Sequence, residues 1–353
     1  MNSYKRVVTT ISHKQPDRPP LDYLATAEVT DSLCSYLNVS SEEELLNRLG
    51  VDFRTVNPQI DKTQPVPPSI EDEYGGKGEL ETTCYGAVLL KTKNFPQSHC
   101  IFGPFYQTEN LDHFDWPTVS DVETTEALRS EIARFNEQGY CTLVHCDNPF
   151  KIAYFMRPFE EFLIDCLTQP EYALELMKRI ADIEFTRASN GVKAGARSVL
   201  ISGDFAHQRA LMISPGTFRK VLKPILAEFV SLLKGLDPKV LVFLHSDGDL
   251  SPVLEDLIEC GFDAVHPIQP ESMDMVAVKR RYGDRLTLFG GVSVQSELPR
   301  SKPEKIRALV RQRIQLLGER GGFILAPSNT ILSDTPPESI AAMYQEAQLV
   351  KTW

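Results

Sequence analysis

The 353-residue chain is expected to fold as an α/β protein, a single-domain (β/α)8 TIM barrel, on three observations. Eight short apolar segments are spaced along it, amphipathic stretches separate the later ones, and polar or titratable residues follow nearly every segment. Alternation of strand and helix implies a parallel sheet with right-handed crossovers. In such folds ligands gather where the strands end. Between residues 57 and 125 the rhythm breaks into Pro, Gly and short alternating runs, so a β-rich or loop insertion is expected there.

Taken in order, an opening helix is expected around Tyr4–Ser12, followed by the turn QPDRPP, whose proline pair stops any helix. The eight segments expected to be strands are Leu21–Leu24, Val51–Val56, Cys141–His145, Ser198–Ser202, Val240–Leu244, Asp263–Val265, Leu286–Phe289 and Gly322–Leu325. Most are short, apolar and rich in β-branched or aromatic residues, the profile of strands buried on both faces. Within the insertion, Glu79–Leu90 reads as a hairpin, and the whole segment is either a flap over the site or a surface excursion. Pro170–Lys193 spaces Leu174, Leu176, Met177, Ile180, Ile183 and Phe185 as a helix does. Ser214 followed by Pro215 is a favoured helix start. Pro303–Gly318 and Pro337–Lys351 are the last two helices.

Composition excludes several classes. Hydrophobic residues make up 42% and charged residues 24%, as in ordinary globular proteins. A formal charge of −11 argues against nucleic acid or an anionic membrane as partner. No apolar run is long enough to span a bilayer, and the first 20 residues lack the apolar core of a signal peptide, so a cytoplasmic location is expected. Cys34, Cys84, Cys100, Cys141, Cys146, Cys166 and Cys260 form no CxxC pair and are expected to be reduced.

The chemistry is expected at the strand ends. His145 and Asp147 follow the third strand, Asp204 and His207 the fourth, His245 and Asp247 the fifth, His266 and Gln269 the sixth. Gly290 and Gly291 follow the seventh, Ser328 and Asn329 the eighth. The most informative stretch is VLVFLHSDGDLSPVLEDLIECGFDAVHPIQ, Val240–Gln269, which reads as strand, polar loop, helix, strand, polar loop. His245 and Asp247 make an H-x-D pair, and alternate residues of an extended segment point the same way. Together they can bind a divalent cation, with His266 or Asp204 as third ligand. Otherwise Asp247 caps the following helix and His245 bonds backbone. Asp204 is either a catalytic or substrate-binding carboxylate or the partner of Arg209. The glycine pair lets backbone approach a ligand closely.

These same segments resemble the uroporphyrinogen decarboxylase superfamily, which also contains corrinoid-dependent methyltransferases such as the methylcobamide:coenzyme M enzymes. The resemblance runs from YKRVVTTISHKQPDRPP through GVDFRTV (Gly50–Val56). It is strongest in SGDFAHQRALMISPGTFRKVLKP, HSDGDLSPVLEDLIECGFDAVHPIQP, LTLFGGVSVQSELP and GGFILAPSNTILSDTPPESIAAM. It implies a (β/α)8 barrel with its site at the C-terminal mouth. Heme-pathway decarboxylases carry an arginine-rich RQAGR motif after the first strand. Here Leu21–Ser32, LDYLATAEVTDS, has no arginine or lysine to hold a polyanion. The methyltransferase branch holds zinc with an H-x-C motif and a distant Cys. Here His245 matches, Asp247 replaces the first Cys, and Ser328 or Asn329 stands near the second.

The resemblance therefore implies a methyltransferase that moves a methyl group between a small methylated substrate and a cobalamin carried by a partner corrinoid protein. Zinc or another divalent cation is expected on His245, Asp247 and His266, with Asp204, His245 and His266 catalytic. His145, Asp147, His207, Gln269, Gly291 and Asn329 are expected to bind substrate. A homodimer is in keeping with the superfamily. The runner-up is a carboxy-lyase acting on a porphyrinogen or a smaller carboxylic acid. A third reading is a non-catalytic barrel that binds a corrinoid or a partner.

Overall fold

In the computed structural model, which describes residues 1–58, 60, 64–92, 99–119 and 123–350 (the side chains of 123–125 excepted), seven of the eight expected strands form one parallel sheet. In chain order the strands are β1 (Phe53–Thr55), β2 (Glu79–Thr82), β3 (Val88–Lys91), β4 (His99–Phe102), β5 (Cys141–Asp147), β6 (Ser198–Ser202), β7 (Ala206–His207), β8 (Ala210–Leu211), β9 (Leu241–His245), β10 (Ala264–Ile268), β11 (Thr287–Val292) and β12 (Phe323–Pro327). The main sheet runs β1-β5-β6-β9-β10-β11-β12, a seven-stranded half-barrel.

The expected first strand is reduced to isolated parallel bridges, Leu21 to Leu325 and Ala25 to Ile331. Pro19 and Pro20 have no N–H to donate to a ladder. The Leu21 N–H is taken by the Asp52 carboxylate at 2.8 Å. The segment still lies between the two edge strands: Leu325 N–H reaches Pro20 O at 2.9 Å, and Asp52 N–H reaches Leu21 O at 2.8 Å.

Phe53, Phe243 and Phe289 fill the interior, with ring centroids 5.8 to 6.1 Å apart. Each comes from the inward-facing set of its strand. The opening helix, Ser3–Ile11, puts Val7 into this core and so stops the end of the sheet opposite the site. Arg6 and Arg18 clamp there on the fully buried Asp52, at 2.5 and 2.8 Å.

The helices at Pro170–Lys193 and Pro303–Gly318 have the expected bounds, and the Ser214 hydroxyl accepts the Thr217 N–H at 3.1 Å. The last helix is Pro337–Leu349, and its expected end at Lys351 lies outside the described residues. Among the described residues no helix is long and apolar enough to cross a membrane.

The insertion holds the antiparallel sheet β2-β3-β4, with Glu79 opposite Lys91 and Thr82 opposite Val88, as the hairpin pattern indicates. A helix at Pro68–Tyr74 was not expected; at 7 residues it is too short to show a period. The β2–β3 turn is planted on the Pro170–Lys193 helix. The buried Tyr85 hydroxyl donates to Glu184 Oε1 at 2.7 Å, a carboxylate of the Pro170–Lys193 helix.

Candidate active site

β9 and β10 lie side by side with His245 opposite His266. Counting in twos from Phe243 and Ala264, both imidazoles face inward, one layer above the aromatic floor. The His266 ring stands edge-on to Phe289 at 4.8 Å and meets the His245 ring edge to edge, with centroids 4.9 Å apart and planes inclined by 27°. His245 Nδ1 and His266 Nδ1 are 2.7 Å apart, and His266 Nε2 is 3.1 Å from the Pro327 carbonyl.

A carbonyl only accepts, so His266 carries its proton on Nε2 and offers Nδ1 as acceptor. His245 then donates from Nδ1, and its Nε2 bears the lone pair. Burial pushes both imidazoles down to about 3, His266 further opposed by His245, so both are neutral.

The free Nε2 faces two carboxylates, Asp247 Oδ1 at 3.9 Å and Asp204 Oδ1 at 4.0 Å. Asp247 Oδ1 is buried without a hydrogen-bond partner, a costly state for an acceptor. Its Oδ2 accepts from the Asn329 amide at 2.5 Å, and the Asp247 N–H donates to Asp204 Oδ1 at 2.8 Å. Burial, then the neighbouring Asp204 charge, pushes Asp247 up to about 7; burial also raises Asp204. One nitrogen lone pair and two carboxylate oxygens lie within 4.8 Å of one another. That donor set, with one oxygen orphaned, fits a divalent cation with positions left for substrate.

Backbone demands hold this geometry. Gly248 has φ +95°, and a Cβ there would lie 2.5 Å from the His207 carbonyl oxygen. Only glycine lets the loop after Asp247 run beneath the β7–β8 hairpin. Gln269, 2% exposed, accepts the Gly248 N–H at 3.1 Å and so shapes that loop from below.

The structure gives the expected residues these places. His266 is 5% exposed and has both its nitrogens in contact, one with His245 Nδ1 and one with the Pro327 carbonyl, while Asp204 is the residue grouped with His245 and Asp247. Asp204 forms no ion pair with Arg209 among the described residues. Asn329, expected to bind substrate, donates to Asp247, and Gln269, expected to do the same, accepts from the Gly248 N–H. Gly290 and Gly291 lie inside β11, not after it. A Cβ at Gly291 would touch the Phe323 ring at 3.4 Å, and its carbonyl accepts from Arg313, so it faces the helices. His207 sits on the rim, its Nδ1 taken by the Arg209 N–H at 3.4 Å.

His145 and Asp147 belong to a second cluster, at the end of β5. The fully buried Glu184 accepts there from Tyr85 and from the Asp147 N–H at 3.0 Å, with Arg187 3.4 Å away. Burial, then the Asp147 charge, raises Glu184 to about 7, and burial lowers His145. Sequence reasoning missed Glu184 and Tyr85. Glu184 did leave a signal: it continues the buried stripe Leu176–Ile180 at i+4, where an unpaired carboxylate has no place. Lys151, whose charge is felt at Asp204, His145 and His245, left none.

The comparisons agree with this architecture. A profile of the family described as uroporphyrinogen decarboxylase (URO-D) matches residues 115–349, more than half of the chain. A methylcobamide:CoM methyltransferase, MtaA, from Methanosarcina barkeri is 30% identical over 173 residues, 49% of this chain and 47% of that protein. MtaA from Methanosarcina barkeri (strain Fusaro / DSM 804) is 27% identical over the same length. The chain thus spans about half the length of the curated relatives it matches. A solved methyltransferase from Methanosarcina mazei shares the fold, with TM-score 0.69 and 18% identity over 99% of this chain and 98% of that one. A B12-independent methionine synthase from Shewanella sp. W3-18-1 superposes with TM-score 0.51 at 10% identity, covering 95% of this chain and 93% of that one.

Proposed function

The chain belongs to the uroporphyrinogen decarboxylase family, and from that premise we propose that it is a methyltransferase of the corrinoid-dependent type. It moves a methyl group between a small methylated compound and a cobalamin carried by a partner protein that docks over the mouth. We read residues 21–24 as the eighth element closing a (β/α)8 barrel, the whole chain being one domain with the insertion as a flap. The observation that carries the reading is the constellation of His245 Nε2, Asp247 Oδ1 and Asp204 around one point.

In such a transfer the methyl group leaves as a cation equivalent, and the atom it leaves keeps the bonding pair. Charge thus develops on an oxygen, nitrogen or sulfur at the mouth. A divalent cation, zinc or similar, would supply Lewis-acid stabilisation of that charge. His245 offers its lone pair, Asp247 its orphaned oxygen, and Asp204, more open, completes the donor set. Lys151 adds positive charge at the rim. The absence of arginine and lysine from Leu21–Ser32 supports a small substrate over a porphyrinogen.

One observation favours the carboxy-lyase alternative. Asp247 at about 7, beside a raised Asp204, is suited to proton transfer near neutral pH with no cation bound. Metal content by mass spectrometry, beside His245→Ala, separates the two. About one equivalent of cation, lost in the variant, supports the methyltransferase. A metal-free protein that neither forms nor consumes methylcobalamin with methyl donors and thiol acceptors sinks it.

A further inference from the structure

We infer that His266 is a positioning residue, fixing the tautomer of His245 by relaying the Pro327 carbonyl to it, and that cation affinity depends on this relay. The inference rests on the cation-binding reading above. The chain of hydrogen bonds has one direction only, because its terminal member is a carbonyl without a proton to give. Pro327 O accepts from His266 Nε2 at 3.1 Å, and His266 Nδ1 accepts from His245 Nδ1 at 2.7 Å. What remains at the other end is a lone pair aimed between Asp204 and Asp247. Were His266 apolar, the His245 ring would lose its acceptor for Nδ1–H. It would then be free to take the other tautomer and present a proton to the two carboxylates.

The relay is buried: His266 is 5% exposed, with Phe289 edge-on at 4.8 Å and the His245 ring against its Nδ1 edge. Register does the rest: β9 and β10 pair His245 with His266, and β12 ends in the carbonyl that starts the chain. Partners of this kind, behind a ligand imidazole, raise metal affinity by about 10- to 100-fold.

The test uses the full chain and Zn2+ alone, titrated in competition with a chromophoric chelator, with the Co2+ absorption spectrum as second readout. His266→Phe keeps an aromatic ring and removes both hydrogen bonds. His266→Gln keeps them, its carbonyl accepting from His245 and its amide donating to Pro327. Thermal unfolding checks that each variant folds. The expected result is at least a 10-fold loss of Zn2+ affinity in the Phe variant, with an altered Co2+ spectrum, and recovery in the Gln variant. Equal affinity in wild type and a folded Phe variant overturns the positioning role and leaves the cation site standing. A Gln variant as weak as the Phe variant also overturns it, since restoring the two hydrogen bonds would then not restore affinity. No Zn2+ binding by the wild type overturns the cation site itself, and the inference with it.

Discussion

Tyr85→Phe tests how the insertion is held, and its cost is expected to depend on pH. The Tyr85 hydroxyl is 2.7 Å from Glu184 Oε1, and both residues are essentially unexposed. Burial, then the Asp147 charge, raises Glu184 from 4.5 to about 7. A carboxyl whose folded value is raised holds its proton longer in the folded state. Its ionisation penalty is therefore absent below about pH 4.5, grows as pH rises, and is complete above about 7. The Tyr85 hydroxyl offsets part of that penalty by donating to the carboxylate. At pH 5 the variant loses a bond to a neutral group, about 1 kcal/mol. At pH 8.5 it loses a bond to a buried charge, about 1.5–3 kcal/mol. Urea unfolding of both proteins at the two pH values reads the difference directly. The variant is expected to lose about 1 kcal/mol more at pH 8.5 than at pH 5. Equal losses at both would mean that Glu184 does not titrate in this window, and the electrostatic account of the anchor would be wrong.

Two further substitutions probe the two ends of the main sheet. Asp52→Asn leaves the guanidiniums of Arg6 and Arg18 facing a neutral, fully buried amide, so a loss of about 3 kcal/mol is expected. Urea unfolding measures it, and a loss under about 1 kcal/mol would show that the clamp is not what ties residues 20–22 to β1. Gly248→Ala places a Cβ 2.5 Å from the His207 carbonyl oxygen at φ +95°, a backbone clash that no rotamer relieves. It should lower stability by about 1–3 kcal/mol and weaken Zn2+ binding through displacement of Asp247. Unchanged Zn2+ affinity would show that the loop tolerates the shift.

The main sheet was legible because each strand is a compact apolar run bounded by polar or glycine residues. Strand ends differ from expectation by a few residues at most, as with Asp263–Val265, which extends through His266 to Ile268. The first strand was not, because apolar content at Leu21–Leu24 says nothing about donors, and Pro19, Pro20 and the Asp52 carboxylate remove them. At the site, sequence located Asp204, His245 and Asp247 but not their division of labour. That His266 stands behind His245, and not beside it, follows from register between β9 and β10 and from the Pro327 carbonyl. Neither fact has a local sequence signature. The glycine pair is ambiguous for a related reason: Gly290 and Gly291 pack closely against Pro267 and Phe323, and in sequence this looks the same as an approach to ligand.

The chain carries the H-x-D pattern twice at strand ends, His145-x-Asp147 on β5 and His245-x-Asp247 on β9, and the structure treats the two copies oppositely. On β5, Arg187 stands 3.9 Å from the Asp147 carboxylate and Glu184 takes its backbone N–H, so the charge is met by protein. On β9, the neighbour supplied by β6 is another carboxylate, Asp204, and β12 supplies only an amide and a relayed carbonyl. Among the described residues, negative charge accumulates there without a protein cation in hydrogen-bond reach, and Asp247 Oδ1 goes unpartnered. The pattern sets direction along a strand, whereas adjacent strands decide whether its charge is neutralised from within. By that criterion the β9 copy is the one left for a cation or a proton from outside.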